Sequence, residues 1–163
     1  MIKEERVEYA GSIVLGLNDA LVELTGALSG LTFALQNGKI IAITGFITGV
    51  AASMSMAASG YLSSRENKDK APAKSGVYTG VAYIITVLLL ILPYLFLQNV
   101  YTALAIMLGI AILIIAGYTF YISTAKNLRF GRRFTEMAII SITVAVISFL
   151  IGLIIRNVFM VKV

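Results

Sequence analysis

The chain has 163 residues, 59% of them hydrophobic and only 13% charged, with a mean hydropathy of +0.93; an ordinary water-soluble domain carries about twice that share of charge. It contains neither cysteine nor histidine, which excludes disulfides, thiolate metal sites, haem held by imidazole or thiolate, and histidine general bases. The net charge of +5 does not mark a nucleic-acid binder, because Lys and Arg collect in the short segments between apolar runs, where membrane topology places them.

In chain order, five apolar segments at about 9–36, 40–63, 76–97, 100–124 and 135–158 each approach or exceed the roughly 20 residues needed to cross about 30 Å of hydrocarbon. No alternation of the barrel type is present, so the spans are expected to be helical. The predicted fold class is all-α: an integral membrane bundle of five transmembrane helices over residues 1–163, with no soluble domain and no internal repeat. The mixed charges of Lys3, Glu4, Glu5, Arg6 and Glu8, followed by a long apolar span interrupted by acids, predict no cleaved signal peptide. Lys3, Arg6, Arg65, Lys68, Lys70, Lys74, Lys126, Arg129, Arg132 and Arg133 fall on one side, and only Lys39, Arg156 and Lys162 on the other. The N-terminus is therefore expected in the cytoplasm and the C-terminus outside, in a multi-pass protein of the plasma membrane. The loop from Lys126 to Arg133 reads as a headgroup anchor.

The spans are of two kinds. Spans three to five carry runs such as Val87 to Leu92 and Ile110 to Ile115 and read as lipid-facing. The first two are rich in small and polar residues, and the pairs Gly26/Gly30 and Gly45/Gly49 predict close helix approach there, making them the expected protein-facing core.

Asp19 and Glu23 lie well inside the first span, where each charge costs at least about 2.5–3.5 kcal/mol on insertion scales. No Lys or Arg occurs deep inside any span to neutralise them, which leaves protonation, a bound cation or a water-filled cavity. Four residues apart, they share one helix face about 6 Å apart along the axis. Two such carboxylates can share a proton or trade it for a dication, the chemistry of metal–proton exchange. The second span adds Met54 and Met56 at a similar depth. Two apart on a helix, they point to nearly opposite faces, and Met56 shares its face with Gly49, Ser53 and Gly60. Met56 is therefore the preferred soft donor, with Met54 and Ser53 as weaker candidates. A thioether beside carboxylates suits iron(II), manganese(II) or cobalt(II) better than magnesium or calcium.

The stretch Gly16-Leu17-Asn18-Asp19-Ala20-Leu21-Val22-Glu23-Leu24-Thr25-Gly26-Ala27-Leu28-Ser29-Gly30, together with Ala52-Ser53-Met54-Ser55-Met56-Ala57-Ala58-Ser59-Gly60-Tyr61-Leu62-Ser63, resembles the vacuolar iron transporter family of iron and manganese transporters, as does the five-span layout. The resemblance implies a homodimer with a metal path between the first and second helices of two subunits. It further implies export of iron(II) or manganese(II) from the cytoplasm against incoming protons, with metal as cargo and no resident cofactor. On that resemblance Asp19 matches the pore aspartate, Met56 the pore methionine, and Glu23 the acid of the prokaryotic motif variant. The chain departs from the pattern at Gly60, where many members have Glu, and at Thr48, where plant-type members carry an acid. The segment from Ser64 to Ser75 is too short for the cytoplasmic metal-binding domain inserted there in those members, which marks a short prokaryotic-type member.

Glu66 and Asp69 read as solvated loop charges, and Glu136 as a capping or solvated acid at the start of the fifth span. The expected activity is translocation rather than bond chemistry. The rival expectation is a structural or assembly membrane protein whose buried acids are merely hydrogen-bonded.

Overall fold

A computed structural model of the chain describes residues 2–126 and 129–159, with side-chain surroundings for 11–124 and 129–158. The side chains of Lys3, Arg6 and Lys126, residues Asn127 and Leu128 of the basic loop, and Lys162 lie outside the described residues. Among the described residues the structure is all helical: α1 Ile2–Leu35, α2 Gly38–Glu66, α3 Pro72–Phe96, α4 Val100–Lys126 and α5 Phe130–Phe159. Each contains a stretch long and apolar enough to cross a bilayer, so the five-helix membrane fold read from the sequence is borne out.

The helices begin and end where local chemistry dictates rather than where hydropathy fades. Gln36 adopts a left-handed φ of 52° after α1, and the Asn37 side chain then accepts a hydrogen bond from Ile40 N to cap α2. Pro72 opens α3 from its first turn, where a missing N–H costs nothing. Asn99 Oδ1 accepts from Tyr101 N at 2.9 Å and Thr102 N at 3.2 Å, fixing the start of α4. At the end of the bundle that carries the α2–α3 connection, the helices run beyond their apolar stretches: α2 continues to Glu66 and α5 begins at Phe130.

Asp69 and Glu136 are both exposed, as read, and each also has a partner. Ser64 Oγ donates to Asp69 Oδ2 at 2.7 Å, so Asp69 also ties the short α2–α3 connection together. Glu136 is not in the opening turn of α5; it lies within the second, where Arg132 Nε donates to Glu136 Oε1 at 2.9 Å on an exposed face.

Packing also redistributes the expected roles of the spans. The most extensive contact is α2 on α3, followed by α1 on α5 and α1 on α3, while α1 and α2 meet only slightly. Gly45 and Gly49 do mark a close approach, but to two helices: a Cβ at Gly45 would press first into Leu28 of α1, and one at Gly49 into Val87 of α3. Gly26 and Gly30 abut Val144 and Ser148 of α5 instead of α2. Thus α3, read as lipid-facing, is the most enclosed helix, with 56% of its spanning window buried against 28% for α2. The reason is physical. A leucine-rich surface suits lipid tails and a protein interior equally, whereas small residues determine which backbones come close. The core joins Leu21, Leu24 and Leu28 of α1, Ile41 of α2, Tyr83, Val87 and Leu90 of α3, and Met107 and Ile115 of α4.

Six hydroxyls of α1, α2 and α3 share one habit. Thr25, Ser29, Thr32, Thr48, Thr79 and Thr86 each donate to the carbonyl four residues earlier in their own helix. This satisfies a polar group without a partner helix in a medium that has no water to offer.

Candidate functional site

α1 turns its apolar residues Ala20, Leu21, Leu24 and Leu28 into the core, and the 3.6-residue repeat therefore sends Leu15, Asp19 and Glu23 to another side. Within the single chain Leu15 and Glu23 are exposed, and Asp19 lies half-buried between them. The expected common face of the two acids is present.

Glu23 is held by a residue that sequence reasoning did not name. The Tyr83 hydroxyl on α3 donates to Glu23 Oε2 at 2.8 Å, and Tyr83 itself is fully buried. A tyrosine hydroxyl deep in an apolar span must find a partner. That requirement was the available signal; the identity of the partner, sixty residues away, was not. Among the described residues no hydrogen bond engages the Asp19 carboxylate. One acid is thus positioned from behind by a neutral donor, and the other keeps its lone pairs open.

On α2, Met56 is half-buried and packs against the core cluster. Met54 points away and is 70% exposed, so the two methionines do diverge as their spacing requires. Ser53 is buried in the α2–α3 seam, where its hydroxyl donates to Val50 O at 2.8 Å. Among the described residues no three acidic side chains converge. A single chain therefore offers a two-carboxylate face with a thioether on the neighbouring helix, and an exposed acid at mid-span that lipid cannot solvate.

Fold and site together define a multi-pass membrane protein with a paired-carboxylate face inside the bilayer. Residues 10–71, covering the described part of α1 from its first apolar turn, all of α2 and the connection to α3, match the family model described as the VIT family, the vacuolar iron transporters. The match covers both sequence stretches on which the resemblance rested. No curated protein matches the chain. The matched family is one of transporters, and it points to metal-ion transport.

Proposed function

We propose that the chain is a transporter of divalent metal, iron(II) or manganese(II), that exchanges the ion for protons across the plasma membrane as a homodimer. The observation that carries this reading is the Glu23 carboxylate: mid-span, exposed on the single chain, and fixed by Tyr83 from the core side. Once ionised, a carboxylate so placed needs water, a cation or a second subunit in front of it. A second copy of α1 across a two-fold axis would supply two further acids, enough oxygen donors for a hard or borderline dication. Asp19 and Glu23 would alternate between proton and metal, and Met56 would add a soft donor.

The VIT match over α1 and α2 supports extending the family's activity to the whole chain. The basic residues at the α2–α3 and α4–α5 connections support a cytoplasmic placement of that end, and hence of the N-terminus, with the C-terminus outside. Entry of metal from the cytoplasm would proceed without an inserted metal-binding domain, since α2 and α3 are separated only by residues 67–71.

The test is flux in proteoliposomes under an imposed pH gradient. The native protein should move iron(II) or manganese(II) with opposite proton movement, and Asp19→Asn should reduce the rate at least tenfold while the protein remains folded and dimeric. Absence of metal flux in the folded native dimer would instead support the structural reading, in which Tyr83 simply satisfies a buried acid.

A further inference from the structure

On the flank of α1 that faces α4 and α5, the side chains behave unlike those elsewhere in the bundle. Asn18 Oδ1, Tyr118 OH, Thr119 Oγ1, Ser123 Oγ and Ser141 Oγ are all buried, with no hydrogen-bond partner beyond one another. Thr119, Ser123 and Ser141 are 1%, 6% and 3% exposed, yet none donates to its own helix carbonyl as the hydroxyls of α1 and α3 do. Asn18, Tyr118 and Thr119 line one cavity of about 140 Å³ together with Val14, Ile122, Met137, Arg133 and Glu136. A buried polar atom left dry costs about 1–3 kcal/mol, and several around one cavity would be a large sum for helices held mainly by packing. A cavity of this volume with such atoms on its lining accommodates several waters, each with partners to bond.

The charge at its mouth sets what else can enter. Glu136, the acidic residue lining the cavity, is engaged by Arg132, while Arg133 adds a fixed positive charge to the lining. A lining with more positive than free negative charge opposes a dication and admits water.

We propose that the cleft between α1, α4 and α5 is a hydrated vestibule that brings water from the basic end of the bundle to Asn18, next to Asp19, and excludes metal cations. Water then reaches α1 on a different side from the acid face, so proton access and metal passage use separate openings; this last link rests on the transport reading, whereas hydration does not.

The cysteine-free chain makes the test direct, because a methanethiosulfonate reagent attacks only an ionised thiolate, and a thiol ionises only where water reaches it. Thr119→Cys would be placed in nanodiscs, with both faces open to reagent, beside the loop control Lys70→Cys and the outward-facing α4 control Leu113→Cys. Thr119→Cys should react within about tenfold of Lys70→Cys and at least a hundredfold faster than Leu113→Cys. Relative to Lys70→Cys, the anionic sulfonatoethyl reagent should outpace the cationic trimethylammonioethyl reagent at least threefold. A Thr119→Cys rate equal to that of Leu113→Cys would overturn the vestibule, and a cationic preference would overturn its exclusion of metal. Should Thr119→Cys fail to fold, Asn18→Cys, on the α1 side of the same cavity, decides by the same criteria. Neither result depends on whether metal is transported, so failure of the vestibule and failure of the transport reading are distinguishable.

Discussion

The α2–α3 seam and the cleft among α1, α4 and α5 use the same small and hydroxylic residues but close in opposite ways. Along α2–α3, glycines bring backbones together until side chains fill the gap: a Cβ at Gly76 would lie 2.6 Å from Ala57 O, and one at Gly80 would meet Ala57 Cβ at 2.8 Å. The hydroxyls there are satisfied within their own helices or across the seam, as where Ser75 Oγ donates to Gly60 O. Around α4, by contrast, Gly109 and Gly117 face outward with nothing within 4 Å of a would-be Cβ, and the buried hydroxyls of the cleft find no partner beyond one another. Small residues seal a membrane seam where a partner backbone comes to meet them, as Gly30 and Gly152 also do between α1 and α5. Where buried hydroxyls find no other partner, they line a space for water.

Four substitutions press on this contrast. The largest effect is expected at Gly16, where a Cβ would collide with the backbone carbonyl of Thr79. Gly16→Ala should destabilise the protein by about 3 kcal/mol, since backbone cannot yield as a side chain can. Gly117→Ala, made into open space, should be neutral or stabilise by up to about 1 kcal/mol. Thermal unfolding in detergent would compare them, and equal losses at both positions would mean that the two regions are packed alike. An intermediate effect is expected at Tyr83, which joins the closed core to the open acid face. Tyr83→Phe should cost about 1 kcal/mol, and that cost should vanish in a Glu23→Leu background, where no acceptor is left, if the loss comes from the pair itself; a double-mutant cycle on unfolding midpoints reads it. The smallest effect belongs to the exposed Arg132–Glu136 pair at the cleft mouth. Arg132→Ala should lower stability by about 0.3–0.5 kcal/mol at low salt and by less at high salt.

The five membrane helices were legible because a bilayer imposes one length and one polarity on every span. The acid pair was legible for the same reason, since Asp19 and Glu23 are exceptions in a medium that tolerates few. Helix partners were not. The glycine pairs of α1 and α2 announce close approach without naming the approaching helix: the α1 pair meets α5, Gly49 meets α3, and only Gly45 meets the expected partner, α1. The central position of α3 was hidden by hydropathy, which scores lipid and protein interior alike. Tyr83 shows the same limit at a single residue: its need for a partner is local information, while the choice of Glu23 is tertiary. The ends of α2 and α5 escaped because helices continue past the hydrocarbon boundary when caps and ion pairs support them.

The turn at Gln36 and Asn37 leaves only two residues between α1 and α2, so at that end the two rods share an apex. At the other end both abut α3 at one residue, Gly16 against the Thr79 backbone and Gly60 against its hydroxyl. Helices α1 and α2 are thus joined at one end by the chain and at the other through Thr79, so the three helices form a triangulated frame, and the Glu23–Tyr83 bond braces the α1–α3 side of it partway along.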